Sequence, residues 1–216
     1  LILLVPSLVA ADPLSKTIAW GESHKYDKGH LPMIAVEGLD VVEVHQALEK
    51  KDLLASMASG VDVMKAPRLF YHVGRVDLGT KTISWGESHK YDQGRWPSVA
   101  LEAQLVTEVH QAKGGEFLWY RVGNLDPATK TIKWGGSIQY DRGWFAAVDA
   151  DGPLVVEAHR SLSKRDKQTD ETKPTGLFCH LGIRNSETRA IAWGMSQKYD
   201  EKGKFPNIAV SGQIVV

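Results

Sequence analysis

The amino-acid sequence predicts an all-β protein, a four-bladed β-propeller whose blades are four-stranded antiparallel sheets. Three observations lead to this prediction: one phrase recurs four times, each copy carries four strand-like segments, and the two ends of the chain supply complementary parts of one copy. Such a repeat indicates a propeller because a single blade buries its faces only against neighbouring blades.

The repeated phrase holds Trp, Gly, Ser, Tyr, Asp and Gly in that order. Its copies read WGESHKYDKG, WGESHKYDQG, WGGSIQYDRG and WGMSQKYDEKG, and they begin at Trp20, Trp85, Trp134 and Trp193. The segments that follow align without gaps, starting from Gly29, Gly94, Gly143 and Gly203. Agreement on this scale over four sites is not a chance event and indicates an internal repeat.

One unit displays the four strands most clearly. Residues 97–101 are a short apolar run, residues 105–111 alternate in polarity, residues 117–122 are aromatic and β-branched, and residues 130–137 alternate again. Segments with Gly, Asp and Pro separate these strands, and Tyr-Asp-Arg-Gly at 140–143 is predicted to be the last turn. Each unit therefore has the strand number of a propeller blade.

The ends of the chain favour closure of a ring. The first residues could be the tail of a signal peptide, but segment 4–19 aligns with the segments before the later tryptophans, so we interpret it as a repeat strand. Pairing of the terminal strands is expected to complete one blade and remove the open sheet edge. The predicted single domain, 1–216, has blades at 29–93, 94–142, 143–204 and 205–216 with 1–28. A fragment of a longer propeller and a solenoid of hairpins are the alternatives.

The composition narrows the classes of function. Lysine and arginine number 26, as do aspartate and glutamate, so the formal net charge is zero. This balance argues against nucleic-acid binding and against electrostatic adsorption to anionic membranes. No apolar run reaches the length of a membrane helix, and the single Cys179 excludes an intrachain disulfide and a cysteine-based zinc site. No catalytic or cofactor motif is recognisable, so the sequence predicts no enzyme and no required cofactor.

The repeated aromatic and acidic residues are the candidate ligand-binding residues. A tryptophan on a strand either fills the space between blades or offers a stacking platform to a sugar ring. The Tyr-Asp dipeptide either forms a turn or, with the repeated Ser, grips sugar hydroxyl groups. The candidates are Trp20, Tyr26, Asp27, Trp85, Tyr91, Asp92, Trp134, Tyr140, Asp141, Trp193, Tyr199 and Asp200.

A glutamate and a histidine two residues apart recur in three units, and the period of a strand places both on one face. The pairs are Glu43/His45, Glu108/His110 and Glu157/His159. Such a pair can bind a metal or act as acid and base, or the carboxylate can hold the imidazole N–H and join one blade to its neighbour. Asp149 stands where the other copies have alanine. In a central channel it could meet an ion, or it could simply face solvent.

The phrase W-G-x-S-x-x-Y-D-x-G-x-x-P, followed by V-V-E-V-H-Q, resembles repeats of microbial secreted proteins that are joined to catalytic domains or stand alone as lectin-like propellers. The resemblance covers nearly the whole chain. It implies a lectin-like binding role and an extracellular location, although a single cysteine also suits the cytosol. The four-blade count is similar to the hemopexin-type fold, whose ring often holds ions in its central channel, but the hemopexin repeat motif is not recognisable here.

Three functions follow as hypotheses. The first is a non-enzymatic, multivalent carbohydrate-binding protein, in which several weak sites act together. The second is a protein-interaction or structural propeller that uses the unrepeated insertions at 48–67 and 162–175. The third is a toxin or defence protein with lectin-like targeting. Glycans or a protein are the expected partners, without nucleic acid or a membrane span, and the sequence leaves the oligomeric state open.

Overall fold

A computed structural model describes residues 22–47, 68–113, 115–162, 174–212 and 214–215. Trp20 lies outside the described residues, as do the rest of segment 1–21 of the predicted fourth blade and most of both insertions. The described residues form strands, turns and irregular segments without helix, so the predicted all-β class is confirmed. They accordingly include no helix that could cross a membrane.

Fifteen strands account for most of the described residues, and the bounds are given in chain order. They are β1 His30–Glu37, β2 Asp40–Ala47, β3 Arg68–Asp77, β4 Thr82–Trp85, β5 His89–Glu102, β6 Leu105–Ala112, β7 Phe117–Asp126, β8 Thr131–Trp134, β9 Ile138–Asp151, β10 Leu154–Leu162, β11 Pro174–Asn185, β12 Ala190–Trp193, β13 Gln197–Asp200, β14 Val210–Ser211 and β15 Ile214–Val215.

Three successive units follow one antiparallel plan. In the middle unit the second part of β5 pairs with β6, β6 pairs with β7, and the end of β7 pairs with the short β8. The start of β7 pairs with the first part of β9, and β9 then opens the next unit by pairing with β10. β5 joins the first unit to the second in the same way. Among the described strands this path runs from β1 to β12 without closing, and β14 and β15 form a separate hairpin.

The predicted turn at residues 140–143 is wrong, because these residues lie inside the long strand β9. The part of β9 before Gly143 pairs with β7 and the part after it pairs with β10, so the chain crosses between units without leaving the sheet. The fourth copy does turn here. The Asp200 carboxylate accepts hydrogen bonds from the backbone N–H groups of Lys202 and Gly203.

A bulge bends each long strand just after this crossing point. The register shifts there, and Trp96 and Phe145 adopt left-handed backbone angles, with φ of 49° and 58°. Leu31, at the same repeat position in β1, has a φ of 53°. A bulge re-aims its side chain. The ring centroid of Phe145 lies 4.5 Å from that of Trp96 and 4.6 Å from that of Phe205, the equivalent residue of the fourth copy.

The hydrophobic core lies between successive units. One cluster packs Val44 and Tyr71 of the first unit against Val99 and Leu101 of the second. An equivalent cluster joins the second unit to the third through Val109, Tyr120, Val122, Val148 and Ala150. Because every unit buries its face against the next one, the repeat is a requirement of packing as well as a pattern of sequence.

Two tyrosines of these clusters also make hydrogen bonds between units. The Tyr71 hydroxyl accepts from the backbone N–H of Ile132 at 3.1 Å, and the Tyr120 hydroxyl accepts from that of Ile191 at 3.1 Å. A buried N–H without a partner is costly, so these contacts position each unit against the one that follows it.

Candidate functional site

Each Glu/His pair belongs to a hydrogen-bonded chain that starts at the tyrosine of the repeated phrase. In the middle unit the Tyr91 hydroxyl donates to Glu108 Oε1 at 2.9 Å, and Glu108 Oε2 lies 3.0 Å from His110 Nδ1. The units on either side have the same arrangement around Glu43 and Glu157. The prediction that glutamate and histidine share a face is confirmed, and within each strand the carboxylate does hold the imidazole.

The carboxylates of these chains are buried. Glu108 and Glu157 have no solvent exposure, and Glu43 is 2% exposed. A buried carboxylate is costly unless donors surround it, and here a phenol hydroxyl and an imidazole nitrogen approach each one. Burial and the adjacent Glu108 raise the pKa of Tyr91 well above 10, and burial and the adjacent Glu157 do the same for Tyr140.

The aspartate of the phrase lies on the other side of each histidine. The distances from histidine Nε2 to aspartate Oδ2 are 3.6 Å for His45 and Asp27, 4.0 Å for His110 and Asp92, and 3.5 Å for His159 and Asp141. The second glycine of the phrase makes room for the imidazole. A Cβ atom on Gly94 would lie 2.5 Å from the His110 ring, and one on Gly143 would lie 2.6 Å from the His159 ring.

A basic residue of the third strand of each unit faces the same aspartate. His72 Nε2 lies 2.8 Å from Asp27 Oδ2, and His180 occupies the equivalent position in the third unit at 2.7 Å. In the middle unit Arg121 replaces the histidine and reaches the aspartate at 3.5 Å. The opposite side of each basic group contacts the carbonyl oxygen of a glycine. His72 Nδ1, for example, lies 3.1 Å from the carbonyl oxygen of Gly86.

These contacts change the acidity of the aspartates and of the third-strand histidine. Burial alone would raise the pKa of Asp27, but the contact with His72 and the hydrogen bond from the backbone N–H of Lys28 lower it to about 2. Burial alone would lower the pKa of His180, but the contacts with Asp141 and with the carbonyl of Gly194 raise it. The site therefore favours a negative aspartate beside positive charge.

A tryptophan stacks on each tyrosine of the phrase. The ring centroids are 5.0 Å apart for Tyr26 and Trp85, 5.2 Å for Tyr91 and Trp134, and 5.2 Å for Tyr140 and Trp193. In every pair the tryptophan comes from the next copy of the phrase. Trp134 and Trp193 border the two core clusters, which favours the interpretation that these residues fill the space between units.

Surface cavities open beside three copies of the Lys-Tyr-Asp part of the phrase. One of about 160 Å³ is lined by Tyr26 and Asp27, with His45 beside them. The second copy lines a cavity of about 530 Å³ that includes Tyr91, Asp92, His110 and Trp119, and the fourth lines one of about 480 Å³ that includes Lys198, Tyr199 and Asp200. The repeat therefore places a phenol, a carboxylate and a lysine at several surface cavities.

A larger cavity, of about 720 Å³, lies at the stacked pair of the first copy. Tyr26 and Trp85 form part of its wall. Glu22, Lys25 and Lys81 also line it, so an aromatic surface stands beside charged groups of both signs. This is the combination of apolar faces and a few polar groups that ligand cavities have.

Among the described residues, the tyrosine of the fourth copy takes part in no buried hydrogen-bonded chain. Tyr199 is 52% exposed, and Asp200 is occupied with the backbone of its own turn. Among the candidate residues within the described ranges, those of the first three copies are therefore brought into one repeated arrangement. Those of the fourth copy are brought together at the surface only.

Asp149, the predicted channel residue, accepts two backbone hydrogen bonds. Its Oδ1 takes one from its own neighbour Ala150 at 2.9 Å, and its Oδ2 takes one from Val210 of the fourth copy at 2.8 Å. It lines a cavity of about 310 Å³ to which the aligned segments 33–36, 98–101 and 207–208 also contribute. The carboxylate thus joins the third unit to the C-terminal segment, a role that alanine in the other copies could not perform.

The third-strand residues His72, Arg121 and His180 were not predicted from the sequence. A signal existed, because the aligned segments LFYHVG, LWYRVG and LFCHLG hold a basic residue at one position in an otherwise apolar strand. Its partner aspartate lies 45 residues earlier in the first unit, so only the strand register reveals the contact.

No protein-family model matches the chain, and no curated protein matches it. The function has to be inferred from the geometry of the repeated sites.

Proposed function

We propose that the chain is a non-enzymatic binding module whose repeated surface sites take carbohydrate. The observation that carries the proposal is the recurrence of surface cavities at the Lys-Tyr-Asp segments of three copies. Sugars present apolar C–H faces and hydroxyl groups together. An aromatic residue beside a carboxylate and an ammonium group offers a partner to each of them.

The contacts define which atoms are left for a ligand. In the second copy the Tyr91 hydroxyl donates its hydrogen to Glu108. A sugar would therefore contact the edge of the Tyr91 ring, the Asp92 carboxylate and the other residues that line the cavity. In the fourth copy Tyr199 is exposed over about half of its surface (52%). The sites are therefore similar without being identical, and we expect them to differ in affinity for the same glycan.

Several similar sites on one chain can act together. A shallow cavity binds one sugar weakly, but several cavities on one chain raise the apparent affinity for a surface that displays many copies of that sugar. The proposal therefore concerns glycans that are clustered, on a polymer or a cell surface.

We further propose that the units form the four-bladed ring predicted from the sequence, with the C-terminal segment in the place of the fourth unit. Four aligned segments line one cavity, which supports a common axis. The turn residues of adjacent units also contact one another, since Glu37 accepts from the backbone N–H of Ala103 and Asp151 from that of Gly212. Ile34 is 54% exposed whereas its equivalent Val99 is 6% exposed, which is the surface a fourth unit would cover.

The test of the binding proposal is a glycan array followed by titration calorimetry on any hit. We expect saturable binding with more than one site per chain. Tyr199→Ala should remove one site, because this tyrosine lines a cavity and takes no part in a buried Tyr–Glu pair. Met195→Ala is the matched control, since Met195 is 87% exposed and lies outside the cavity of the fourth copy. A folded chain that binds no glycan would contradict the proposal and favour a protein partner.

A further inference from the structure

Two of the three buried chains bring three potential metal ligands to one point. The clusters are Asp27, His45 and His72 in the first unit and Asp141, His159 and His180 in the third. Within each cluster one ligand atom per residue lies within 4.8 Å of the others. The first cluster borders the cavity of about 160 Å³ that the proposed function assigns to a sugar, because Asp27 and His45 also line that cavity.

The hydrogen bonds determine which imidazole nitrogens face the aspartate. In the first unit His45 Nδ1 contacts the Glu43 carboxylate, and His72 Nδ1 contacts the carbonyl of Gly86. A carboxylate and a carbonyl only accept hydrogen bonds, so each Nδ1 carries the hydrogen. Each neutral ring therefore presents the lone pair of Nε2 to Asp27, which is itself an acceptor.

Three lone pairs thus converge without a donor between them. The third unit gives the clearest case, because His159 is fully buried and its Nε2 has no hydrogen-bond partner among the described residues. One added proton on His180 would satisfy its contact with Asp141, but it would leave the lone pair of His159 pointing at the same carboxylate at 3.5 Å. A single cation between the three groups would satisfy all of them.

The middle unit supplies an internal comparison. Arg121 stands at the position of the two third-strand histidines, donates to the carbonyl of Gly135 and reaches Asp92. It brings a permanent positive charge to the point where the other two units have only neutral or titratable ligands. Arg121 therefore offsets one of the two negative charges of Glu108 and Asp92 in this unit, whereas the equivalent acidic pairs of the other two units have no fixed cation among the residues of their clusters.

We propose that each of the two Asp-His-His clusters binds a divalent transition-metal ion, with Zn²⁺ as the best match. Imidazole nitrogen and carboxylate oxygen are zinc ligands at about 2.0–2.1 Å, which in a tetrahedron puts ligand atoms about 3.3 Å apart. The His45–Asp27 and His159–Asp141 distances of 3.6 Å and 3.5 Å match this value, and the shorter His–Asp contact in each cluster has to lengthen by about 0.5 Å.

The surroundings of both clusters suit such an ion. The Nδ1 atoms are held by a carboxylate and a backbone carbonyl, the outer contacts that orient metal-binding histidines. The side chains of Asp27 and Asp141 are 28% and 27% exposed, which leaves a route from solvent and a fourth position for water. The ion would fix the crossing segment of the chain to the second and third strands of its unit.

The test uses the full chain, freed of metal with a chelator and titrated with Zn²⁺ alone at pH 7. We expect two zinc ions per chain, and Co²⁺ in place of zinc should give the visible absorption of a tetrahedral nitrogen and oxygen site. His180→Arg should reduce the stoichiometry to one while preserving the fold, because arginine already occupies the equivalent position in the middle unit.

Two further variants separate this site from adventitious binding. Arg121→His should create a third site with Asp92 and His110, which no general loss of structure could imitate. His30→Ala, at an exposed histidine that belongs to neither cluster, should still bind two ions. A folded chain that takes up no zinc, or His180→Arg that still binds two ions, would overturn the proposal and assign the positive charge to a proton on a histidine.

Discussion

At the scale of single residues, the repeat preserves a buried carboxylate together with its donors. Glu108 receives the Tyr91 hydroxyl on one oxygen and contacts His110 Nδ1 with both. Removing one partner of a buried, hydrogen-bonded charge costs more than the bond itself contributes, because the charge remains in the interior. This accounts for the joint recurrence of Tyr, Glu and His in three units.

Tyr140→Phe should therefore destabilise the protein by about 2 kcal/mol, since it removes the hydroxyl that donates to the buried Glu157. Tyr199→Phe is the matched control, because this tyrosine is exposed and should lose almost nothing. Urea unfolding of both variants measures the difference. Equal effects at the two positions would show that the Tyr–Glu contact adds no stability.

Tyr91 should make stability depend on pH in the alkaline range. Burial and Glu108 raise its pKa above 10 in the folded state, so folding favours the neutral phenol. This stability is complete below pH 10 and is lost as the pH rises above 10 towards the pKa of the folded state. The free energy of unfolding of the wild-type chain should fall more steeply between about pH 10 and 11 than that of Tyr91→Phe. Parallel curves would contradict the assignment.

At the scale of elements, the long strands β5 and β9 are the feature that joins the units. Each pairs with one sheet through its first part and with the next sheet through its second part. The crossing point needs a residue without a side chain. A Cβ on Gly143 would lie 2.6 Å from the carbonyl oxygen of Arg160 as well as from the His159 ring.

Gly143→Ala should consequently destabilise the protein by about 1–3 kcal/mol, because neither backbone nor buried ring can move aside freely. Gly136→Ala, in the same phrase, has nothing within 4 Å of the added Cβ and should leave the stability almost unchanged. Thermal unfolding of the two variants tests the difference. If Gly143→Ala were as stable as Gly136→Ala, the close approach at the crossing point would be wrong.

The elements also indicate what the sequence could and could not predict. Polarity patterns located the strands from 97 to 137, because alternation follows directly from the strand period. The prediction of a turn at 140–143 was wrong. Asp141 contacts His159, and Gly143 allows the close approach of the strands where the chain crosses between units. The partnership of His72 with Asp27 depends on the register of three strands, which one sequence does not supply.

At the scale of the whole molecule, contacts between units follow the order of the repeats. Arg184 takes the place of the apolar Leu125 of the preceding unit and donates to the backbone carbonyls of Glu102, Leu105 and Gly152. It therefore links the second and third units through their turns. Such links, the core clusters and the shared cavity support the proposed four-unit ring.

The ring is tested most directly by distances between spin labels at the four equivalent turn positions, Gly38, Ala103, Gly152 and Gly212, in a chain in which Cys179 has been replaced by serine. An added side chain has space at the three glycines, and Ala103 already carries one with the same left-handed backbone. In a closed ring the distance from 38 to 212 should equal those from 38 to 103 and from 103 to 152, and the diagonal from 38 to 152 should be longer. If 38 and 212 proved to be the most distant pair, the units would form an open row and the ring would be refuted.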